Sequence, residues 1–172
     1  MRFEYYDKLI NKKTTGRYDI TPIFENADSF NNLIKDLIKP FNNLKIDKIV
    51  GIDALGFILG GAIAIKLKKG FIPIRKAGKL PSKSLLKVSF KDYSKEEKAF
   101  EMNKSSIKRR EKVLLVDEWI ETGTQIHAAI KLIKKQKGKV VGIATLNLDK
   151  NNKTQVLLDK YNCKPINISN EK

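Results

Sequence analysis

Short apolar runs alternate with segments of helical apolar spacing along most of the chain. Runs of mostly apolar residues predict strands at about 47–52, 71–75, 112–116 and 139–146. Spacings of three and four between apolar residues, together with turn residues at the segment ends, predict helices at 26–39, 57–69, 125–137 and about 151–160. This order predicts an α/β fold, a doubly wound and mainly parallel sheet flanked by helices, with right-handed crossovers.

Local signals set the expected ends of two helices. Asn26 and the polar residues after it can cap the first long helix, and Pro40 can end it. In the next helix, Gly60 and Gly61 allow close packing on the sheet, and Gly70 is expected to terminate the helix.

A long excursion separates the strands at 71–75 and 112–116. Apolar and polar residues alternate at 86–90, and a highly charged stretch follows through Glu101. This pattern predicts a flexible β-hairpin lid over residues 82–108, because a loop of this length inside a compact domain often closes over a site. The alternative is a solvated ribbon that serves only as surface.

The run from Val113 to Gln125 carries the clearest chemical signal. Four apolar residues end in Asp117 and Glu118, and a small-residue turn then opens a helix. Ligands of open α/β sheets bind at the carboxyl ends of the strands. The two acids can accept hydrogen bonds from vicinal hydroxyls, and backbone amides of residues 121–125 can face an anion. The run therefore predicts a site for a ribose phosphate.

This run resembles the signature by which type I phosphoribosyltransferases bind 5-phosphoribosyl-1-pyrophosphate (PRPP). Two further segments, residues 50–57 (VGIDALGF) and 71–81 (FIPIRKAGKLP), resemble the adenine phosphoribosyltransferase branch of that family. Weaker matches occur at 19–22 and 92–94, so that the resemblance covers roughly residues 16–150. It implies a type I phosphoribosyltransferase fold with a small N-terminal hood over residues 1–25.

The resemblance implies transfer of the 5-phosphoribosyl group of PRPP to a nucleobase, a purine as in adenine salvage, with release of pyrophosphate. Asp117 and Glu118 would position the ribose hydroxyls, directly or through Mg²⁺. In the lid, Asp92 and Tyr93 stand where the family carries a catalytic Glu-Tyr pair. The residues implied to bind the 5′-phosphate are Glu121, Thr122, Gly123, Thr124 and Gln125.

The remaining implied contacts lie in three other segments. Arg17 and Tyr18 would bind the base. The residues implied to bind pyrophosphate are Asp53, Ala54, Leu55, Gly56, Arg75, Lys76 and Lys79. We expect a cis peptide bond between Asp53 and Ala54. The three basic residues would also reach a neighbouring subunit's site, which implies a homodimer; alternatively they are simply hydrated.

Several positions depart from the family pattern. Leu55 stands where an arginine usually contacts pyrophosphate, and leucine donates no hydrogen bond. Glu118 replaces an aspartate, Thr124 a glycine, and Gln125 a threonine or serine. These departures keep an alternative open: a catalytically weak or inactive regulatory protein that binds PRPP or a nucleotide, with nucleic-acid affinity as a further property.

Length, hydrophobic content, net charge and cysteine content limit the possible fold and partners. A chain of 172 residues with 41% hydrophobic residues fits a single domain over 1–172. The net charge of +16 is spread through every segment, which suits a small anionic substrate at least as well as a nucleic acid. Cys163 is the only cysteine, so no internal disulfide forms. We find no membrane span or secretory leader in the sequence, and we expect a cytoplasmic protein.

Overall fold

The computed structural model describes residues 2–91 and 96–170 of the chain. Its helices are α1 (Phe3–Asp7), α2 (Pro22–Glu25), α3 (Ala27–Ile38), α4 (Leu55–Leu67), α5 (Thr124–Lys135) and α6 (Asn152–Lys160), with a 3₁₀ turn at Lys39–Phe41. Its strands are β1 (Lys48–Ile52), β2 (Gly70–Lys76), β3 (Leu85–Lys91), β4 (Glu97–Asn103), β5 (Lys112–Val116), β6 (Trp119–Ile120), β7 (Lys139–Lys150) and β8 (Cys163–Asn170).

These strands form one mainly parallel, mixed sheet in the order β3-β4-β2-β1-β5-β7, with β8 on the far edge of β7. The pairs β2–β4 and β3–β4 are antiparallel, and the other pairs are parallel. Strands β6 and β8 pair with the same two residues of β7, so they lie on its opposite edges. The fold class expected from the sequence is confirmed.

Each face of the sheet carries its own apolar core, as expected when helices cover both sides. Alternate residues of one strand enter different cores: Val113 and Leu115 pack with α5 and α6, whereas Leu114 and Val116 pack with α3, α4 and the N-terminal segment. All four side chains are inaccessible to solvent. Burying a side chain of this size contributes about 1.5–3 kcal/mol, so β5 is a fixed base for the acids that follow it.

The start of α3 agrees with the sequence-based expectation, and the end of α4 differs from it. Asn26 caps α3 as expected, accepting hydrogen bonds from the amides of Asp28 and Ser29 at 2.9 and 3.0 Å. In α4, however, the expectation that Gly70 ends the helix was wrong. The helix ends at Leu67 because Lys68 adopts a left-handed conformation with φ of 54°, and Gly70 begins β2.

The excursion between β2 and β5 contains an antiparallel pair, β3 with β4, whose register runs from Leu85 opposite Asn103 to Lys91 opposite Glu97. A hairpin is therefore present where one was expected, and its motion as a lid stays a prediction. Within the described ranges, 2–91 and 96–170, none of the helices has both the length and the apolar character needed to cross a bilayer.

Candidate active site

The site lies where β1 and β5 end side by side. Gly51 pairs with Val116 in the parallel register, so the turns that follow the two strands begin next to each other. Gly56, at the start of α4, lies so close to β5 that a Cβ atom there would be 2.9 Å from the carbonyl oxygen of Val116. This close approach brings the 53–56 turn beside Asp117.

Asp117 is a buried acid with only 6% of its surface exposed. Burial raises the pKa of its carboxyl group, and the negative charge of Glu118 raises it further. The carbonyl of Glu118 accepts hydrogen bonds from the amides of Leu146 and Asn147 and from the hydroxyl of Thr145. Strand β7 thus fixes the backbone of the acid pair.

Residues 121–125 form a loop that turns into α5, and we call it the phosphate loop after the ligand that the sequence predicts for it. Gly123 caps the helix with φ of 74°, a left-handed conformation that glycine adopts without steric cost. Thr124 is the first residue of the helix and has no positive φ, so its β-branched side chain is compatible with the turn. The departure from glycine at this position therefore does not distort the loop.

A second turn follows β1. The peptide bond between Asp53 and Ala54 is cis, which confirms the expectation. Arg75, at the end of the neighbouring strand β2, points toward Asp53, with 3.5 Å between its Nε and Oδ2 of the acid. Its Nη1 also donates to the carbonyl of Lys79 at 2.8 Å. Arg75 thus contacts its own chain's turn, and Lys76 and Lys79 are exposed.

The N-terminal segment covers the other side of the phosphate loop. Arg17 forms an ion pair with Glu121 at 2.8 Å between Nε and Oε1. Tyr18 packs edge to face against Trp119, with ring centroids 5.8 Å apart. The indole nitrogen of Trp119 donates to Asp149 at 3.1 Å. The two residues implied to bind the base therefore lie against the loop that follows the acid pair.

These elements surround a small pocket that opens to solvent. It is lined by Arg17, Asp53 and residues 117–126. Leu55 and Tyr18 line an adjoining space together with Arg17 and Glu118, and Lys76 borders a third space under the hairpin with Gln125. Asp92 and Tyr93 lie outside the described residues.

Two residues that sequence reasoning missed also border the phosphate loop. Asn151 caps α6 and donates from Nδ2 to the carbonyl of Glu121 at 2.8 Å. Lys153 reaches the hydroxyl of Thr124 with 3.3 Å between Nζ and Oγ1. The Asn-Asn-Lys-Thr segment signals a helix start, but its position against the loop follows only from the tertiary fold. His127, within α5, contacts the Lys153 carbonyl at 3.2 Å through Nε2.

The described residues do not build a metal site of their own, since no group of three or more His, Cys, Asp or Glu side chains is placed to hold an ion there. Asp117 and Glu118 are two adjacent carboxylates at the pocket wall. Mg²⁺ is commonly bound by one or two carboxylates together with substrate phosphates and water. The acid pair therefore fits a magnesium ion whose remaining ligands come from the substrate.

Comparison with known proteins agrees with this geometry. Residues 20–172 match the model of the phosphoribosyl transferase domain family. The chain is 43% identical over 123 residues to an adenine phosphoribosyltransferase of Roseobacter denitrificans, covering 72% of this chain and 69% of that protein.

Solved structures are similar over nearly the whole chain. The adenine phosphoribosyltransferase of Rhodothermus marinus superposes with a TM-score of 0.87 at 31% identity, covering 96% of this chain and 97% of that one. The Saccharomyces cerevisiae enzyme, in complex with an imino-altritol bisphosphate and adenine, gives 0.80 at 28% identity and covers 95% and 97% of the two chains. The chain belongs to the type I phosphoribosyltransferase family and resembles its adenine phosphoribosyltransferase branch.

Proposed function

We propose that this chain transfers the 5-phosphoribosyl group of PRPP to a purine base and releases pyrophosphate, as an adenine phosphoribosyltransferase of nucleotide salvage. The observation that supports it most directly is that the acid pair, the cis turn after β1 and the phosphate loop line one pocket. In this proposal the acid pair faces the diol of PRPP, the turn after β1 faces the pyrophosphate, and the phosphate loop faces the 5′-phosphate. Membership of the family adds independent support.

The 5′-phosphate is proposed to bind at residues 121–125. The amides at the beginning of α5 carry the positive end of the helix dipole, which favours an anion. The hydroxyl of Thr122 lies 3.3 Å from the amide of Thr124, so it is at the loop and available to a phosphate oxygen. Asn151 holds the loop from outside through the Glu121 carbonyl.

The acid pair is proposed to hold the ribose hydroxyls. Carboxylates accept hydrogen bonds from both hydroxyls of a diol, and β7 fixes the Glu118 backbone by three hydrogen bonds. When bound, Mg²⁺ would neutralise charge on the pyrophosphate leaving group. The protein's part is orientation: it holds C1 of the sugar in line between the leaving group and the base nitrogen.

The base is proposed to bind beside Arg17 and Tyr18, in the space that Trp119 also lines. A guanidinium plane and aromatic rings both stack on heterocycles. We further propose that residues 1–172 act as one domain, with 1–25 as the hood and 82–108 as a lid that carries Asp92 and Tyr93. A homodimer in the cytoplasm completes the proposal.

Pyrophosphate release with adenine, hypoxanthine, guanine and xanthine, in the presence of PRPP and Mg²⁺, tests the activity. The double variant Asp117→Asn, Glu118→Gln keeps the shape of both side chains and is expected to lower kcat/KM by roughly 10³-fold or more while the circular dichroism spectrum stays unchanged. Turnover at the wild-type rate would remove the acids from the mechanism.

A regulatory PRPP-binding protein is the second candidate, and Leu55 is the observation that favours it. Its side chain lines the space next to the pocket but has no hydrogen-bond donor for pyrophosphate. Calorimetric titration separates the two functions: PRPP binding without turnover of any purine supports the regulatory protein, and turnover supports the enzyme.

A further inference from the structure

Glu101 is a buried acid outside the pocket described above. It lies in β4 and only 4% of its surface is exposed. Its carboxylate accepts hydrogen bonds from three successive backbone amides: Gly78 at 3.0 Å to Oε2, and Lys79 and Leu80 at 2.9 and 2.7 Å to Oε1. Together these residues secure the loop after β2 to a neighbouring strand.

The loop conformation makes this arrangement specific for an anion. Gly78 has φ of 82°, which turns successive amides of residues 78–80 toward one point. Burial of Glu101 raises its pKa, but the bonds from Gly78, Leu80 and Lys79 and the charge of Lys87 outweigh burial and leave the pKa lowered. The acid is therefore held in its charged form.

The secured loop also connects to the turn after β1. The Lys79 carbonyl accepts from Nη1 of Arg75 at 2.8 Å, and Nε of the same arginine lies 3.5 Å from Oδ2 of Asp53. The loop's amides thus bind Glu101 and one of its carbonyls binds Arg75. The side chains of Glu101 and Arg75 therefore both hold the loop, and Arg75 also contacts Asp53 in the turn after β1.

The loop itself borders the substrate side of the molecule. Lys76 and Ala77 line the space under the hairpin together with Arg17 and Gln125, which are residues of the proposed site. The side chains of Lys76 and Lys79 are exposed, and the backbone amide of Lys79 is one of the three that Glu101 holds. A change in the loop would therefore move cations relative to the pocket.

We infer that Glu101 is a positioning residue for the pyrophosphate end of the substrate: it holds residues 77–81 so that Arg75, Lys76 and Lys79 present their charges toward the turn after β1. The inference rests on the proposed function. Glu101 itself does not touch the substrate, because its carboxylate is engaged by the loop amides. Its negative charge is neutralised there, so it does not repel the pyrophosphate.

The variant Glu101→Gln tests this role with little change of volume. The amide oxygen can replace one carboxylate oxygen, but the NH₂ group then faces an amide donor. In the reverse reaction, with AMP and pyrophosphate, KM for pyrophosphate is expected to rise by about 10-fold, the effect of losing one to two hydrogen bonds. KM for AMP is expected to change by less than about 2-fold, since the base and 5′-phosphate contacts are elsewhere.

Glu111→Gln is the matched control. Its carboxylate also accepts a backbone amide bond, from Lys108 at 2.7 Å, but it borders none of the site elements described above. It is expected to keep both KM values of the wild type. Should Glu101→Gln fail to fold, Glu101→Asp keeps the charge with a shorter reach and is expected to show the same selective rise.

Hydrogen exchange separates this inference from the proposed function. The amides of Gly78, Lys79 and Leu80 are expected to exchange faster in Glu101→Gln than in the wild type, whether or not the protein turns over a purine. A wild type without turnover would refute the proposed function only; calorimetric titration with pyrophosphate would then replace the KM measurement. Unchanged exchange, or unchanged KM or affinity for pyrophosphate, would overturn the role of Glu101.

Discussion

Arg17 and Glu121 form a bidentate ion pair: Nε lies 2.8 Å from Oε1 and Nη2 lies 3.0 Å from Oε2 of the carboxylate. The pair joins the N-terminal segment to the phosphate loop across 104 residues of sequence. The arginine side chain is 54% exposed, and the glutamate side chain is 30% exposed. The guanidinium is thus fixed at the edge of the pocket, beside the place proposed for the base.

Arg17→Met is expected to raise KM for the purine by about 10-fold while changing the free energy of unfolding by less than about 1 kcal/mol. Ion pairs this exposed contribute little to stability. The loss falls on substrate binding because the guanidinium proposed to stack on the base is removed, and the N-terminal segment is no longer held against the loop by this ion pair. Steady-state kinetics with varied purine and urea unfolding measure the two effects.

Glu121→Gln is the control, because it breaks the same pair and leaves the arginine in place. If Arg17 acts through this pair, the double variant is no worse than the poorer single variant. Additive losses in the double variant would instead indicate that Arg17 contacts the base independently of Glu121.

The structure also explains which parts of the fold the sequence could reveal. The run before Asp117 is apolar on both faces and ends in two acids. The local pattern therefore predicts the buried strand and the position of the acid pair at its carboxyl end. The end of α4 did not follow, because a lysine rather than the glycine takes the left-handed position. Its beginning at Leu55 also lies two residues before the expected start.

Strand β8 and the last four residues of β7 (147–150) were missed for a different reason. Asn147 and Asp149 interrupt the apolar pattern of β7, and their partners are distant in sequence: Trp119, Asn167 and Ser169. Polar side chains in a buried strand are stable only when such partners exist. Local pattern carries no information about them, so the strand was expected to end at residue 146.

Gly123→Ala is expected to destabilise the fold by about 1–2 kcal/mol and to weaken PRPP binding, since a Cβ atom disfavours its φ of 74°. That Cβ would also lie 3.2 Å from a methyl group of Thr154. Gly61→Ala is the matched control: the expectation that Gly61 packs closely on the sheet was wrong, because the space around an added Cβ there is open. This substitution within α4 is expected to stabilise by up to about 1 kcal/mol. Thermal unfolding and PRPP calorimetry measure both. Equal effects of the two substitutions would contradict a conformational requirement at Gly123.

Asp149→Ala is expected to cost about 1–3 kcal/mol of stability. One carboxylate oxygen of Asp149 accepts from the Trp119 indole at 3.1 Å, the Asn147 amide at 2.8 Å and the Ser169 hydroxyl at 2.6 Å. Removing it leaves these donors unsatisfied. Urea unfolding measures the loss. Asp159→Ala should be nearly neutral, because the carboxylate of Asp159 accepts an exposed hydrogen bond from Gln155 within α6.

Lys153→Met is expected to raise KM for PRPP by about 3-fold at low salt, and the difference should shrink as salt is added. The ammonium group contacts Thr124 in the phosphate loop, so it adds positive charge where the 5′-phosphate is proposed to bind. Lys160→Met removes the same charge from the last turn of the same helix. A KM unchanged by Lys153→Met, or raised equally by both substitutions, would exclude a local contribution.

The lowered pKa of Glu101 predicts a specific dependence of stability on pH. A carboxyl group whose pKa is lower in the folded than in the unfolded state stabilises the fold above the unfolded value, near 4.5, and this contribution is lost as pH falls through the folded value. The groups around Glu101 are the loop amides, Lys87 of β3 and Arg75 of β2. Both side chains are cationic and remain charged throughout this range, so the carboxyl group is the one that titrates.

Urea unfolding of the wild type and of Glu101→Gln between pH 7 and pH 3 measures this contribution. The wild type is expected to be the more stable protein at pH 7. The difference in unfolding free energy should stay constant down to about pH 5 and then shrink toward pH 3, because at position 101 only the wild type has a carboxylate that can be protonated. A difference that is the same at pH 3 and pH 7 would mean that the neutral acid holds the 77–81 loop as well as the carboxylate does. A difference that grows on acidification would reverse the sign and would place the folded pKa above the unfolded one.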